Sequence, residues 1–178
     1  NCVATPLVQV LAPIHRLAPL DQVVVSTYQA VSGAGKEASD ELELQVRDLF
    51  NMRDVKASVF GKQIAFNVLP FIPARGPVDT QGKTDEEIKL IEETKKILDL
   101  QELKMEATCV RVPVFNGHSM SVTLSTKSQL KIDEVLDTLA KTPGIMIIDN
   151  PAQFSYPTPL DASGEDVTLV GRIRPNTS

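Results

Sequence analysis

The β-branched run Val23-Val-Val25 sits between two segments whose apolar residues recur every three or four positions, and that arrangement constrains the fold more than any other feature. Before it, Leu7, Val10, Leu11, Ile14 and Leu17 mark one face of a helix; after it, Leu42, Val46, Leu49 and Phe50 mark another among the charges of residues 37–50. The valine run, bounded by polar residues, predicts a buried strand over residues 21–28. Thr5-Pro6 reads as the opening of the first helix, with Thr5 as its N-cap, and Pro13 is expected to bend or break that helix.

The same pattern continues. Residues 66–83 hold Pro70, Pro73 and Pro77 and read as an extended excursion, of the kind that is usually functional or interfacial. It ends at Thr84-Asp-Glu-Glu87, which fits a capping box opening a helix through Ile88, Ile91, Thr94, Lys95 and Leu98. Residues 104–114 and 119–127 read as strands, and Asn116-Gly117 between them predicts a hairpin. A helix over residues 131–141 ends at Pro143-Gly144, before the apolar run of residues 145–148 and a last strand over residues 167–173. Strands with interspersed helices imply a single α+β domain over residues 1–178, a mixed β-sheet with helices packed on one face.

Composition excludes several partners. Eighteen Lys+Arg against 23 Asp+Glu give a net charge of −5, and only 4% of residues are aromatic, so nucleic acid is not an expected partner. No apolar run has the length of a membrane span. Cys2 and Cys109 form no Cys-x-x-Cys pair, no metal-type cluster is visible and no signal region is recognisable, so the expected compartment is a reducing cytoplasm. The chain opens on Asn1-Cys2 and stops at Arg174-Pro-Asn-Thr-Ser178, and we expect it to be a piece of a longer polypeptide.

Candidate chemistry gathers on few residues. Cys2 precedes a helix start, where unpaired N–H groups favour a thiolate, although a cysteine is also a common small buried hydrophobe. Cys109 belongs to the core of its strand. His118 follows the Asn116-Gly117 turn, where an imidazole at a strand mouth could act as acid or base, and His15 falls in a helix. Arg111 in the apolar stretch Cys109-Val-Arg-Val-Pro113 needs a partner, either an anionic ligand or a core acid. Glu86 and Lys89, three apart, read on spacing alone as a surface ion pair. Gly33-Ala-Gly35-Lys-Glu-Ala38 matches the letters of a dinucleotide fingerprint, but the preceding strand ends too early, and a turn that could meet an anion fits better.

Taken together, Asn1-Cys2, Ser26-Thr-Tyr-Gln-Ala-Val-Ser-Gly-Ala-Gly35, Glu86-Glu-Ile-Lys89 with Glu93-Thr-Lys95, Arg111-Val-Pro-Val and Asn116-Gly-His-Ser119 resemble the bacterial aspartate-β-semialdehyde dehydrogenase family. Tyr156-Pro-Thr-Pro-Leu160 and Gly171-Arg-Ile-Arg174 continue the resemblance across nearly the whole chain. It implies an NADP-dependent oxidoreductase that interconverts aspartyl-β-phosphate and aspartate-β-semialdehyde in lysine, methionine and threonine synthesis. It also implies that the nucleotide-binding domain and a final helix lie outside this chain. The fold implied is that of the glyceraldehyde-3-phosphate dehydrogenase C-terminal domain, forming a homodimer through its sheet and the proline-rich excursion.

Carried over by position, Cys2 resembles the nucleophile that forms a thioester or thiohemiacetal, and His118 the acid/base that manages its proton. Gln29 resembles the residue that orients substrate, Arg111 the one that grips its α-carboxylate, and Glu86 the partner of its ammonium. Lys89 resembles a phosphate ligand, and Ser32 and Gly33 the part of the domain that reaches NADP. Two departures stand out: Val3-Ala4 follows the cysteine where the family often has Ser-Thr, and Met120 stands where an acid usually follows Gly-His-Ser. The alternatives are an N-acetyl-γ-glutamyl-phosphate reductase domain, against which the Ser26–Gly35 and Arg111–Val114 segments argue, and a non-catalytic dimerisation or anion-binding module.

Overall fold

The computed structural model describes residues 2–72, 79 and 81–176. Pro73 and Pro77 of the proline-rich excursion lie outside the described residues. The chain is α+β: α1 (Ala4–Leu17), β1 (Leu20–Gln29), a 3₁₀ turn (Val31–Ala34), α2 (Lys36–Phe50), α3 (Asp85–Leu98), β2 (Lys104–Arg111), β3 (Ser119–Thr126), α4 (Ile132–Ala140), β4 (Ile145–Ile147), a second 3₁₀ turn (Pro151–Gln153), α5 (Pro159–Ala162) and β5 (Thr168–Val170). It divides into two compact units, one of residues 1–24, 90–106 and 122–178, the other of residues 25–89 and 107–121.

The periodic segments form the helices they predict, with two corrections at α1. Val3, not Thr5, is the N-cap, with no side-chain bond to the helix; Pro6 then falls in the first turn, where its missing N–H has no intrahelical partner to lose. Pro13 does not end the helix, which runs on to Leu17 with the proline ring buried. Gln9 anchors α1 within its unit: its Nε2 donates to the Pro143 carbonyl at 3.1 Å and its Oε1 accepts from Thr168 Oγ at 2.7 Å. Among the described residues, no helix is long and apolar enough to cross a membrane.

The predicted hairpin is not one. The three-stranded sheet has the order β2-β1-β3, so β1 lies between the two strands that the Asn-Gly turn was expected to join. Contacts at the strand ends give the directions. Lys104 Nζ meets Asp21 Oδ1 at 3.3 Å where β2 and β1 begin, and the Val112 N–H donates to the Gln29 carbonyl at 3.0 Å where they end, so this pair is parallel. The Lys127 N–H donates to the Pro19 carbonyl at 2.8 Å, joining the end of β3 to the start of β1, so that pair is antiparallel. The chain does reverse at Gly117, whose φ is 83°, but residues 112–118 must span two strand spacings of roughly 4.8 Å each. A two-residue turn cannot do this.

The last two strands form a separate parallel pair, with Ile145 opposite Thr168 and Ile147 opposite Val170. Burial alternates along β1 and β2, which shows that one face of the main sheet is covered and the other is not. In the second unit, Val31, Ala38, Leu42, Ile64, Ala65 and Leu69 make a compact apolar cluster.

Candidate active site

Five of the residues singled out from the sequence converge in the second unit. Gln29 closes β1 with its side chain 1% exposed, and its Nε2 donates to Glu86 Oε1 at 3.2 Å. The Glu86 carboxylate thus bonds a strand end, where the spacing had suggested an ion pair with Lys89. Glu86 stands in the first turn of α3, and that turn is pinned. The Thr84 N–H donates to Glu87 Oε2 at 2.8 Å and the Glu87 N–H to Thr84 Oγ at 3.4 Å, so the capping box forms as predicted. The other Glu87 oxygen accepts the Cys109 N–H at 3.0 Å and ties the helix start to β2, two residues before Arg111. Sequence reasoning found the cap but not this link, because nothing local marks a bond to a strand twenty-two residues away.

Ala30, a residue with no functional side chain, holds the other half of the site. Its N–H donates to His118 Nδ1 at 3.0 Å, and its carbonyl accepts from Arg111 Nη1 at 2.7 Å. The buried guanidinium therefore has a backbone carbonyl among its partners, not only the acid or anion that the sequence suggested. Flanking bonds fix the peptide: Val31 N–H to the Val114 carbonyl at 2.8 Å and Ser32 N–H to the Phe115 carbonyl at 3.1 Å. No sequence signal could have revealed Ala30, since it acts through its backbone alone.

Gly33 lies against both groups. A Cβ built on it would sit 3.0 Å from His118 Cε1, 3.1 Å from His118 Nε2 and 3.2 Å from Arg111 Nη1. Ser32 and Gly33 are exposed on the 3₁₀ turn, and Lys89 is exposed one turn along α3 from Glu86. Burial lowers the pKa of His118 below 6.5, the Arg111 charge lowers it further, and Glu86 opposes them. The unit therefore presents a neutral imidazole, a guanidinium and a carboxylate. Such a set suits a small molecule carrying both charges and a carbonyl that gains charge as it reacts.

The two cysteines differ. Cys109 is buried, as expected, and burial pushes its thiol up to about 11 despite a hydrogen bond with Thr27. Cys2 is exposed, in the turn ahead of α1, so it is not the buried hydrophobe that a lone cysteine often is. Among the described residues, no cluster of His, Cys, Asp and Glu could hold a metal ion.

A family model described as "Semialdehyde dehydrogenase, dimerisation domain" matches residues 11–178. The chain belongs to that semialdehyde dehydrogenase family. Among its relatives, this semialdehyde dehydrogenase domain is 43% identical over 175 residues to the aspartate-semialdehyde dehydrogenase of Aquifex aeolicus, covering 98% of the chain and 51% of the relative. Crystal structures of aspartate semialdehyde dehydrogenase II from Vibrio cholerae superpose on 99% of the domain with TM-scores of 0.93 and, in a complex with ASA, 0.94. Identities to these two are 38% and 37%, and the domain covers 51% of each. It spans about half the length of the curated relatives it matches.

Proposed function

We propose that this semialdehyde dehydrogenase domain is the catalytic, substrate-binding and dimerisation part of an NADP-dependent aspartate-semialdehyde dehydrogenase. It works in the cytoplasm, in lysine, methionine and threonine synthesis, and reductively dephosphorylates aspartyl-β-phosphate to aspartate-β-semialdehyde. The observation that carries the reading is the gathering of Glu86, Arg111 and His118 around Gln29 and Ala30, in a fold shared with enzymes of that name.

The residues divide the work. Arg111 presents donors to the α-carboxylate of the amino-acid substrate and Glu86 accepts from its ammonium, while Gln29, held by Glu86, orients the chain between them. Lys89 binds the phosphate that leaves or attacks. Cys2 supplies the sulfur: its thiolate adds to the acyl carbon, phosphate departs, and a thioester remains, which splits one difficult step into two. His118 serves the oxygen of that carbon as acid and base. NADP, when bound, supplies the hydride chemistry; Ser32 and Gly33, exposed on the 3₁₀ turn, fit its approach, and the lack of a side chain at Gly33 lets the turn lie close to the His118 ring, which a Cβ would meet at 3.0 Å.

The test is phosphate-dependent reduction of NADP by aspartate semialdehyde, assayed on the protein that contains this chain. Full activity in a Cys2→Ala variant would sink the reading; a loss of at least about 10³-fold is expected for removal of a covalent nucleophile.

A further inference from the structure

Glu87 does more than cap a helix. It follows Glu86 in the first turn of α3, where the glutamate of a capping box ordinarily uses one carboxylate oxygen and leaves the other to water. Here the residue is 7% exposed and both oxygens meet backbone donors: Oε2 accepts the Thr84 N–H at 2.8 Å and Oε1 the Cys109 N–H at 3.0 Å. Only a carboxylate accepts at both ends; an amide would set its own N–H against one of the two donors.

The bond to Cys109 falls on the outer edge of β2. The N–H groups of Val110 and Val112 turn toward β1, to Thr27 Oγ at 3.4 Å and the Gln29 carbonyl at 3.0 Å. Those of Cys109 and Arg111 turn the other way, and the Arg111 N–H pairs there with the Leu69 carbonyl at 2.9 Å. The Glu87 carboxylate thus takes the place of a neighbouring strand beside the Leu69 bridge. Glu87 is next in the chain to Glu86, and Cys109 shares the buried face of β2 with Arg111. One side chain therefore joins the turn that carries the ammonium acceptor to the strand that carries the carboxylate donor.

We infer that Glu87 is a positioning residue for substrate binding: by spanning Thr84 and Cys109 it sets the separation of Glu86 from Arg111, and so the fit of an amino-acid head group between them. This rests on the function proposed above. The ammonium and the α-carboxylate are borne on one carbon, so Glu86 and Arg111 can grip both only at the right distance from each other. Gln29 holds Glu86 from the end of β1, and Glu87 holds the same turn against β2. Misplacing such groups by about 1 Å costs up to about 10²-fold. The head group is gripped alike before and during the reaction, so the loss belongs in KM and not in kcat.

The test compares two variants of the protein that contains this chain, assayed with aspartate semialdehyde, phosphate and NADP. Glu87→Gln keeps the capping box, which glutamine also closes, and turns an N–H toward Cys109. Thr84→Ala removes the hydroxyl of the cap and leaves both backbone donors to the Glu87 carboxylate. Glu87→Gln is expected to raise KM for aspartate semialdehyde by at least about tenfold, with kcat within about threefold and KM for NADP unchanged. Thr84→Ala is expected to lower the melting temperature and leave all three constants in place. A KM for aspartate semialdehyde within about twofold of the parent in Glu87→Gln, an equal rise in Thr84→Ala, or a parallel rise in KM for NADP overturns the inference. If Glu87→Gln does not fold, Glu87→Asp, whose carboxylate is one methylene shorter and draws away from the two donors, carries the same comparison. A second readout needs no activity: in proton–nitrogen NMR spectra of this chain, the Cys109 amide proton should move upfield in Glu87→Gln and hold its place in Thr84→Ala. An amide that does not move in Glu87→Gln also overturns the inference. The function proposed above fails separately, on the response to Cys2→Ala, and that failure would leave the Cys109 amide result standing.

Discussion

Gly33 shows how a single missing side chain shapes this site. A methyl group there would crowd the His118 ring and the Arg111 guanidinium at 3.0–3.2 Å, and neither neighbour can yield without loosening its bond to Ala30. In Gly33→Ala we expect kcat/KM of the intact protein to fall by about 10- to 100-fold, since sub-ångström errors in catalytic geometry carry such costs. The fold should lose about 1 kcal/mol or less, because the residue is exposed. A thermal melt beside the kinetic assay separates the two effects. His118 gives a second, purely thermodynamic prediction. Its folded pKa lies below the 6.5 of the unfolded chain, so below that pH the unfolded state binds a proton that the folded ring refuses. Stability should fall with pH from 6.5 down to the folded value, by at most about 1.4 kcal/mol per pH unit, and should be level above it. His118→Gln should remove that slope, as urea unfolding at pH 7.5 and 5.5 would show.

At the scale of elements, α2 buries most of the stripe that its sequence pattern marks and adds polar residues that the pattern does not. Leu42 is buried and Val46 and Leu49 pack against the same cluster, but Phe50 is 77% exposed, and Glu41 and Gln45 are buried as well. Their work is polar. Glu41 accepts the N–H groups of Ser58, Val59 and Phe60 at 2.6, 2.7 and 3.4 Å. Gln45, one turn on, accepts those of Ile64 and Ala65 and donates to the Lys56 carbonyl. Together they clamp residues 56–65, a segment with no helix or strand of its own to satisfy its backbone. Glu41→Ala should destabilise the chain by roughly 2 kcal/mol, with part of the lost bonding made good by water at the exposed Ser58 and Val59. Glu41→Gln, which keeps an acceptor oxygen, should lose less, and denaturant titration of both would test the ordering. This contrast explains what was legible. Helices and strands announce themselves through local periodicity, so their existence was readable, as was the capping box at Thr84. The clamp, the Glu87–Cys109 tie, the role of the Ala30 amide and the insertion of β1 between β2 and β3 are long-range pairings with no local signature. The hairpin error has the same origin: Asn-Gly specifies a reversal, not the neighbour to which the chain returns.

At the scale of the whole molecule, the main sheet has apolar side chains exposed among the described residues. Along β1 the side chains of Val23, Val25, Thr27 and Gln29 are buried, while Val24 and Tyr28, which point to the opposite face, are 41% and 44% exposed. No residue of β3 is buried, although it flanks β1. The family to which the chain belongs is described by its dimerisation domain, and a second copy laid on this face is the reading we propose for that surface. Closed twofold symmetry makes the idea sharp, because every interface residue enters the contact twice. A charge placed at position 24 would then be carried into the interface in both subunits, at several kcal/mol each. On a free surface the same change costs no more than the β-propensity range of about 1 kcal/mol. Val24→Lys should therefore leave the melting temperature of the isolated subunit nearly unchanged, yet weaken association by two or more orders of magnitude. Sedimentation equilibrium across a concentration series measures both species at once. If Val24→Lys associates as the parent does, the sheet face is not the contact. The exposed aromatic pair Phe50 and Phe66, with ring centroids 6.0 Å apart, then becomes the surface to charge next.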